Sequence, residues 1–430
     1  MQTSNLFIKK GSVMVYRLFD IADEINLKKA QTILDQGPEN VRRYKLQKDP
    51  LRTVTFRDAP LTLSEGEETL SLKIKNEDKK LKYTLEIKIW NYGTISLCYN
   101  LVLPEDTNWK DLVYLGQVLE ADSVIEELAS KKKDEIFSKI KESLKNPSIH
   151  PIFEDYTTYL VEELEEQGKP KETRKSRKDK DVKEETAEEK AAAALVRTPM
   201  KDPLELLKKN CVAELLLAEP TQTLSDSTRK SIQSSYSQYT NKDLLILDWN
   251  TALVVDFTST KEYKDYVDLI EFSLSQLLKL RIYDQLLDEK LDALYDSMEE
   301  KKFQKETKFY ENMSEEAGEL FLEFSDFFEK LDNSIKTIGD VYLAKVLRST
   351  DKKFGFDELK KSITRKTNGV REISIMCQDK VDHHVDVQNI KKSHKIEWIV
   401  VGLISLEIFI NFDHLIDQFT KLGVFISKLF

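Results

Sequence analysis

An apolar run near the C-terminus, from Trp398 to Phe412 (WIVVGLISLEIFINF), constrains the fold more than any other feature of the chain. It stands out because 33% of the residues are charged. Such a run is buried either in a bilayer or in a protein core. As a helix it rises about 22 Å, short of the ~30 Å hydrocarbon core of a membrane. Glu407 lies inside it, and a charge at mid-bilayer costs roughly 2.5–3.5 kcal/mol. Length and charge therefore favour a buried core helix.

The flanks of the run favour a membrane instead. Lys391, Lys392 and Lys395 precede it, as a cytoplasmic flank would, and Trp398 suits a membrane interface. Apolar residues then continue at helical spacing to the end of the chain, as in a helix lying along a membrane surface. We predict a membrane helix with an amphipathic tail over residues 396–430, with a core helix as the alternative. The predicted anchor residues are Trp398, Gly402, Glu407 and Phe412.

Composition narrows the class of protein. The 430 residues suffice for two or three domains, and the scarcity of Gly (12) and Pro (10) favours long helices. A net charge of −10 argues against a general nucleic-acid binder. Cys98, Cys211 and Cys377 are far apart and odd in number, which indicates reduced thiols. The N-terminus lacks the apolar core of a signal peptide. We therefore expect a membrane-associated protein with its bulk on the cytoplasmic side.

The pattern of residues 1–165 predicts a mixed α/β domain, that is, one with both strands and helices, and places the fold in the α+β class. Residues 83–90 (YTLEIKIW) alternate with period two, and a turn at Gly93 leads into a second apolar strand. A strand and a helix precede this hairpin, while a long helix and a further strand follow it. The order β-α-β-β-α-β predicts a ferredoxin-like unit, and another α+β sandwich is the alternative.

Residues 166–200 predict a charged, disordered linker, because a segment with so few apolar residues cannot offset its ordering entropy. Between Lys169 and Lys183 there are eight Lys or Arg against three acids. This basic run could contact RNA, a ribosome or anionic lipid. A solvated spacer is the preferred interpretation.

Beyond the linker the pattern becomes helical. Residues 201–260 predict helices and a β-hairpin that complete the α/β part, with Asp248 and Trp249 in the hairpin turn. From Lys261 onward only helices are expected, and residues 261–395 predict an antiparallel, coiled-coil-like bundle.

Motifs for catalysis or cofactor binding are missing from the sequence. No phosphate-cradling glycine pattern occurs, and no Ser or Cys lies in a recognisable nucleophile motif. His383 and His384, with Asp382 and Asp386, make at most a weak candidate for a surface metal site. We predict no catalytic, cofactor-binding or metal-binding residue, and no enzyme activity.

A polar cluster is the sharper signal. Residues 276–288 (QLLKLRIYDQLLD) are apolar around most of a helix, yet Arg281, Asp284 and Asp288 share one face. Charges removed from water require partners, so a buried pair that fixes packing and register is the preferred interpretation. The alternative is a polar pocket facing Asp248 and Trp249.

Several segments resemble the "required for meiotic nuclear division" family of uncharacterised membrane proteins, which includes a mitochondrial member. The resemblance rests on KIEWIVVGLISLEIF (residues 395–409), IWNYGTISL (89–97), DWNTALVVD (248–256) and the QLLKLRIYDQLLD helix. It implies a membrane-associated scaffold, and the mitochondrial member implies a link to translation. It implies no catalytic residue.

We therefore predict a membrane-anchored scaffold or tethering protein that binds a protein partner, or itself, through its helical bundle. One alternative is a ribosome- or RNA-associated factor that uses the basic linker. A second alternative is an enzyme whose Asp248, Arg281 and Asp284 converge in a polar pocket.

Overall fold

The structure is a computed structural model, and its description covers most of the chain. The described residues are 5–36, 40–43, 54–56, 58–75, 77–121, 123–167, 197–220, 224–258, 263–300, 307–332, 335–338 and 340–427. The predicted disordered linker lies largely outside them, with the whole basic run between Lys169 and Lys183.

Strands dominate the first part of the described chain. They are β1 (Leu6–Asp20), β2 (Ala22–Ile25), β3 (Asn40–Arg43), β4 (Val54–Phe56), β5 (Leu61–Ser64), β6 (Glu68–Ile74), β7 (Glu77–Ile89), β8 (Thr94–Val102), β9 (Thr107–Asn108), β10 (Leu144–Pro147), β11 (Phe153–Gln167), β12 (Arg197–Pro199), β13 (Tyr236–Ser237), β14 (Asp243–Leu247), β15 (Thr251–Asp256) and β16 (Ile335–Ile338).

Helices connect the strands and make up most of the C-terminal part. They are α1 (Leu27–Leu34), α2 (Trp109–Ala121), α3 (Val124–Ile140), α4 (Leu204–Lys208), α5 (Val212–Leu216), α6 (Asp226–Gln233), α7 (Tyr263–Glu300), α8 (Thr307–Asp332), α9 (Val341–Lys353) and α10 (Phe356–Ser427). A 3-10 turn, Lys141–Ser143, follows α3.

The chain divides into two compact units. The sheet unit comprises Met1–Leu286 and Asp326–Ile363, and the helical unit comprises Leu287–Ser325 and Thr364–Phe430. Helices α7, α8 and α10 each contribute to both units.

In the described residues a 12-stranded sheet organises the sheet unit, and nine of its strands follow the order β13-β14-β15-β11-β1-β8-β7-β5-β3. The other three, β12, β6 and β9, pair with β11, β7 and β1, respectively. At its centre, β11, β1, β8 and β7 are each antiparallel to the next, which is the strand arrangement of a split βαβ unit. Gly93 has φ +88° in the tight turn between β7 and β8, as the hairpin pattern predicts. A Cβ at Gly93 would lie 1.6 Å from the Ala22 carbonyl oxygen, so only glycine fits there.

One face of the sheet carries the main apolar core. Successive side chains of a strand point to opposite faces, and alternate residues such as Val13, Val15, Leu97 and Leu101 belong to this core. Helices α1 to α6 contribute apolar residues to the same cluster, among them Trp109 of α2. This face therefore follows the usual rule of apolar residues inside.

The opposite face of the sheet is covered by the first half of α7. Side chains of this half-helix bond to β1, β7, β11 and the β7–β8 turn. Phe272 of α7 also packs against Trp90, with ring centroids 5.5 Å apart. Because both faces of the sheet are covered, polar residues that alternate with the apolar core are buried as well.

The helical unit is built from the last part of α7 from residue 287 onward, most of α8 and most of α10. Leu291 of α7, Ala317 of α8 and Cys377 of α10 are among its buried residues. Ser314 and Ser374 join α8 to α10, because each hydroxyl donates to the other residue's carbonyl oxygen, at 3.1 and 3.0 Å.

Helix α10 continues well past this packing. From residue 388 onward, every side chain that the structure describes is exposed. Among the described residues, none of the helices is both long enough and apolar enough to cross a bilayer. The predicted membrane-helix ending of the fold is therefore wrong. Its apolar run is about 8 Å shorter than a hydrocarbon core and includes the charged Glu407.

Two further expectations for the C-terminal part are corrected. Residues Ile335–Ile338 form a strand that pairs with Val54–Phe56, so the segment beyond Lys261 is not purely helical. Residues 356–427 form one continuous helix, which runs across the predicted boundary between the bundle and the segment that begins at residue 396.

Candidate functional site

The main candidate site is a group of ionisable side chains between the sheet and α7, here called the charged layer. At its centre the Lys88 ammonium of β7 donates to Asp268 and to Glu271 of α7, both at 2.6 Å. A third carboxylate, Glu86, lies 3.4 Å from the same nitrogen. Lys88 is only 2% exposed. Asp268 and Glu271 are three residues apart, so both face the sheet from one side of the helix.

Burial and mutual repulsion set the protonation of this group. Burial raises the pKa of Asp268 well above its usual range, and the neighbouring Glu271 carboxylate adds to the shift. Burial by itself would lower the pKa of Lys88, but the Glu271 and Glu86 carboxylates outweigh it and the pKa is raised. The Lys88 ammonium therefore keeps its charge beside the carboxyl groups of α7.

The three carboxylates also have the right chemistry for a hard cation. Ligand oxygens of Glu86, Asp268 and Glu271 lie within 4.8 Å of one another. However, the Lys88 ammonium already lies at hydrogen-bonding distance from two of them. A metal ion beside it would meet a like charge, so this group fits an internal ion pair better than a metal.

Further along α7, two more contacts hold the helix on the sheet. Lys279 donates to the Ala22 carbonyl oxygen at 2.9 Å and pairs with Asp20 at the end of β1. Burial raises the pKa of Asp20 to about 6, an effect that Lys279 partly offsets. The hydroxyls of Tyr92 and Ser275 are hydrogen-bonded at 2.5 Å.

Arg281, one of the predicted cluster residues, lies at the end of the charged layer. Its guanidinium donates to both carboxylate oxygens of Glu154 in β11, at 2.6 and 2.8 Å, and lies 5.0 Å from the Trp249 ring centroid. Burial raises the pKa of Glu154 to about 7, and Arg281 opposes that shift. The structure thus brings Arg281 and Trp249 together.

The other predicted cluster residues lie elsewhere. Asp248, next to Trp249, pairs with Lys353 of α9 at 2.7 Å. Asp284 lies one turn beyond Arg281 on α7 and is half-buried. Asp288 belongs to the helical unit, where it pairs with Lys366 at 2.7 Å. Asp248 and Arg281 therefore take separate ionic partners.

The sequence interpretation missed the central members of the charged layer: Asp20, Lys88, Glu154, Asp268, Glu271 and Lys279. In β7, Lys88 alternates with Ile87 and Ile89, a pattern that normally marks a solvent-facing position. The useful signal was in α7, which is apolar around most of its circumference. A helix of that kind is buried on all sides, so its charged residues need partners.

The cysteines do not supply an activated nucleophile. Burial raises the pKa of the Cys98 thiol far above its usual range and that of Cys211 to about 12. The pKa of Cys377 is also raised by burial. Because the thiolate is the reactive form, all three are poor nucleophiles at neutral pH.

The second candidate site is the exposed run, which we define as residues 396–409 of α10. Trp398 in this run is 75% exposed, and a Cβ added to Gly402 would contact nothing within 4 Å. Glu407 is exposed too, while the side chain of Phe412 lies outside the described residues. Because none of the described helices can cross a bilayer, the predicted anchoring, membrane partner and membrane-associated localisation are wrong.

Fold and site define a class of protein: a mixed α/β sheet protein with a C-terminal helical unit and an internal layer of ion pairs. The chain belongs to the family described as "Uncharacterized protein MJ0711, N-terminal domain", whose model matches residues 10–184 and 183–262. These matches cover more than half of the 430 residues, from within β1 to just beyond β15.

A curated relative carries the same description. The protein named "Uncharacterized protein MJ0711" from Methanocaldococcus jannaschii is 24% identical over 213 residues. The alignment covers 49% of this chain and 62% of the relative, so the chain matches less than two thirds of the relative's length. No solved structure matches significantly. Membership of the "required for meiotic nuclear division" family stays a prediction.

Proposed function

We propose that this chain is a non-enzymatic scaffold protein that assembles with another protein chain through the exposed run of α10. One observation carries the proposal: in the most apolar segment of the sequence, the side chains that the structure describes, residues 398–409, are all exposed. Ile399 and Leu403 are each 61% exposed and Phe409 is 68% exposed. Contiguous apolar surface of this kind marks an interaction site in a folded protein.

The energetics of an exposed helix support the same conclusion. Within the described residues, the side chains beyond residue 388 are exposed, so packing within the chain does not stabilise this part of α10. Most helical stability in proteins comes from packing of an apolar face. Covering apolar area contributes about 25 cal/mol per Å², and a partner chain would supply that contribution.

The charged layer supports a structural role for the sheet unit. Its ion pairs bury Lys88, Glu271 and Lys279 almost completely. Buried pairs add little net stability, but they penalise a shifted register, because a shift leaves charges unpaired. In a scaffold, these pairs fix the position of the first half of α7 on the sheet.

The proposal is tested by photo-crosslinking of the full-length chain in the cells that produce it. A photoreactive amino acid replaces Phe409, which is 68% exposed in the exposed run. The matched control places it at Leu322 of α8, which is 67% exposed. We expect a crosslinked protein species from position 409 and none from position 322. Equal yields at both positions, or none at either, would contradict the proposal.

The RNA- or ribosome-associated alternative depends on the basic run between Lys169 and Lys183, which lies outside the described residues. It stays a prediction from the sequence. Deleting that run should reduce salt-sensitive co-sedimentation with ribosomes if the alternative holds.

A further inference from the structure

On one face of α10, the spacing of the residues along the helix is the same when counted from either end. At about 100° per residue, eight positions fall within about 80° of the helix circumference. We call this face the stripe: Lys391, Lys395, Ile399, Gly402, Leu406, Phe409, Asp413 and Asp417. The intervals between them are four, four, three, four, three, four and four residues. A pattern of this symmetry is self-complementary when two copies pair in opposite directions.

The symmetry is centred on Ile404. Gly402 and Leu406 each lie two positions from it, and Ile399 and Phe409 each lie five positions from it. In an antiparallel pair of copies, Leu406 of one helix therefore meets Gly402 of the other at the same level. A large side chain opposite a glycine lets two helices approach closely. The intervals of three and four in this part match the core positions of a coiled coil.

The charged positions of the stripe are basic at its beginning and acidic at its end. Antiparallel pairing of two copies would bring the basic end of one helix next to the acidic end of the other. Lys391 and Lys395 precede the apolar positions, and the sequence places Asp413 and Asp417 after them. Lys391 and Asp417 are each thirteen positions from Ile404, as Lys395 and Asp413 are each nine. A parallel pair would bring like charges together at both ends. Asp417 also forms an intrahelical pair with Lys421, but both groups are exposed and such a pair is weak.

Glu407, the acid inside the apolar run, does not lie on the stripe. It lies about 120° from the centre of the stripe, and Glu397 lies on the opposite side of the helix as well. Between Lys395 and Asp413 the stripe itself has no charged position. The acid that argues against a membrane span is therefore compatible with pairing along the stripe.

We propose, building on the scaffold role above, that the partner of the exposed run is a second copy of this chain. The two α10 helices pair antiparallel along the stripe, with the two-fold axis at the level of Ile404 but on the opposite side of the helix from its side chain. The layers of the interface are Lys391 with Asp417, Ile399 with Phe409, and Gly402 with Leu406, each formed twice.

Disulfide crosslinking of the full-length chain tests the register. Two variants, Ile399→Cys and Phe409→Cys, are given tags of different size and oxidised alone and as a mixture. We expect a crosslink only in the mixture. The cysteines of either variant alone are ten positions apart along the pair, about 15 Å, whereas a disulfide needs Cα atoms about 5.5 Å apart. The unsubstituted chain is the control, because its three cysteines are buried.

A crosslink between two copies of the same variant, when each variant is oxidised alone, would show a parallel pair and overturn the proposal. The absence of any crosslink would overturn it too.

Sedimentation of two matched variants tests the stripe independently of cysteine chemistry. Leu406→Glu places a charge on the stripe, and Ile404→Glu places one on the opposite side of the helix. Leu406 and Ile404 are 57% and 51% exposed, so both substitutions fit the single helix equally well. We expect Leu406→Glu to weaken dimerisation at least about 30-fold and Ile404→Glu to change it less than about 3-fold. Equal weakening would overturn the proposal.

Charge reversal provides a rescue test. The double variant Lys391→Glu with Lys395→Glu should weaken dimerisation, because the two new glutamates of each helix then repel the aspartates at the other end of the partner helix. Adding Asp413→Lys and Asp417→Lys to the same chain should restore it. A fourfold variant that stays as weak as the double variant would contradict the antiparallel arrangement.

The outcomes separate this proposal from the scaffold role. A crosslinked species at position 409 with a mass other than two copies of the chain would leave the scaffold role standing and overturn the self-pairing. Without a crosslinked species at position 409 and without a dimer in sedimentation, both proposals fail.

Discussion

The first half of α7, which lies against the sheet, and the part of α10 beyond residue 388, here called its far half, differ in which residues they bury. The first buries charged residues, and the second exposes apolar residues. Against the sheet, α7 buries charged groups: Glu271 and Lys279 are each 1% exposed. In the far half of α10, apolar residues such as Ile404 and Phe409 are exposed by half or more. Hydrophobicity by itself therefore does not explain which residues of this chain are buried.

The difference shows what decides burial in each region. The second face of the sheet is covered by α7, so its charges are buried together with their partners. In α10 an apolar surface is left without cover from its own chain in the described residues. The first arrangement is complete within one chain, whereas the second is completed by another copy. Four predictions test that contrast, from the largest expected effect to the smallest.

Lys88→Met should have the largest effect. It removes the cation from between Asp268 and Glu271 and leaves buried carboxylates without it. Breaking one partner of a buried ion pair typically costs 3–5 kcal/mol, and we expect a loss of that order in the free energy of unfolding. Denaturant unfolding measures it, with fluorescence of the buried Trp90 and Trp109 reporting on the sheet unit.

Lys80→Met on the same strand is the matched control. Lys80 is exposed, so this variant should change the unfolding free energy by less than about 0.5 kcal/mol. Equal losses in the two variants would show that the charged layer has no special role.

Stability should fall as the pH rises from about 4.3 to about 7. Burial raises the folded-state pKa of Glu154 to about 7 and that of Asp20 to about 6, whereas unfolded carboxyls titrate near 4. In this window the folded chain keeps protons that the unfolded chain has released. Raising the pH therefore favours unfolding, by on the order of 3 kcal/mol for Glu154.

Glu154→Gln removes one of these titrating groups and should flatten the pH profile between pH 5 and pH 7. Unfolding free energies of both proteins across that range measure the slope. A variant profile as steep as that of the unsubstituted chain would contradict the assignment to Glu154.

Tyr92→Phe should have a moderate effect. The variant loses the buried hydrogen bond between the hydroxyls of Tyr92 and Ser275, while the Ser275 hydroxyl keeps its bond to the Phe272 carbonyl oxygen. We expect a loss of about 1 kcal/mol in unfolding free energy. Tyr295→Phe, at a residue that is 54% exposed, is the control and should lose less than half as much. A loss no greater than in the control would show that the hydrogen bond between Tyr92 and Ser275 does not stabilise the fold.

Ile408→Gln should have the smallest effect on stability. Ile408 is exposed and lies outside the stripe, so the unfolding free energy of the sheet unit should change by less than about 0.5 kcal/mol. The same denaturant experiment measures it. A loss of several kcal/mol would mean that the exposed run packs within its own chain.

Local patterns predicted much of the fold. The alternation in residues 83–90 and the turn at Gly93 placed the β7–β8 hairpin, and the two apolar arms around Asp248 placed β14 and β15. The strand Ile335–Ile338 was missed because its partner, Val54–Phe56, is far away in sequence. Ile335, Thr337 and Ile338 are β-branched, which favours a strand, but a run of four residues is too short to outweigh the helical pattern on either side of it.

The candidate site was less predictable, for a physical reason. The alternation of β7 fixes which face Lys88 is on but does not say what covers that face. The polar-pocket alternative placed Arg281 near Trp249, yet the ionic partner of Arg281, Glu154, comes from a strand 127 positions earlier. The apolar run was recognised from its composition, but the membrane interpretation did not take account of the stripe, whose two ends are Lys391 and Asp417.

The central claim, that two copies of α10 pair antiparallel about Ile404, is tested most directly by distances between spin labels on the full-length chain. With labels at position 404, the two copies should be separated mainly by the spacing between the helices. With labels at position 390, the labels should be offset by a further 42 Å or so along the axis, because they lie 28 positions apart in the pair. Equal distances at both positions would indicate a parallel pair, and no dipolar coupling at either position would indicate a monomer; both results would contradict the account.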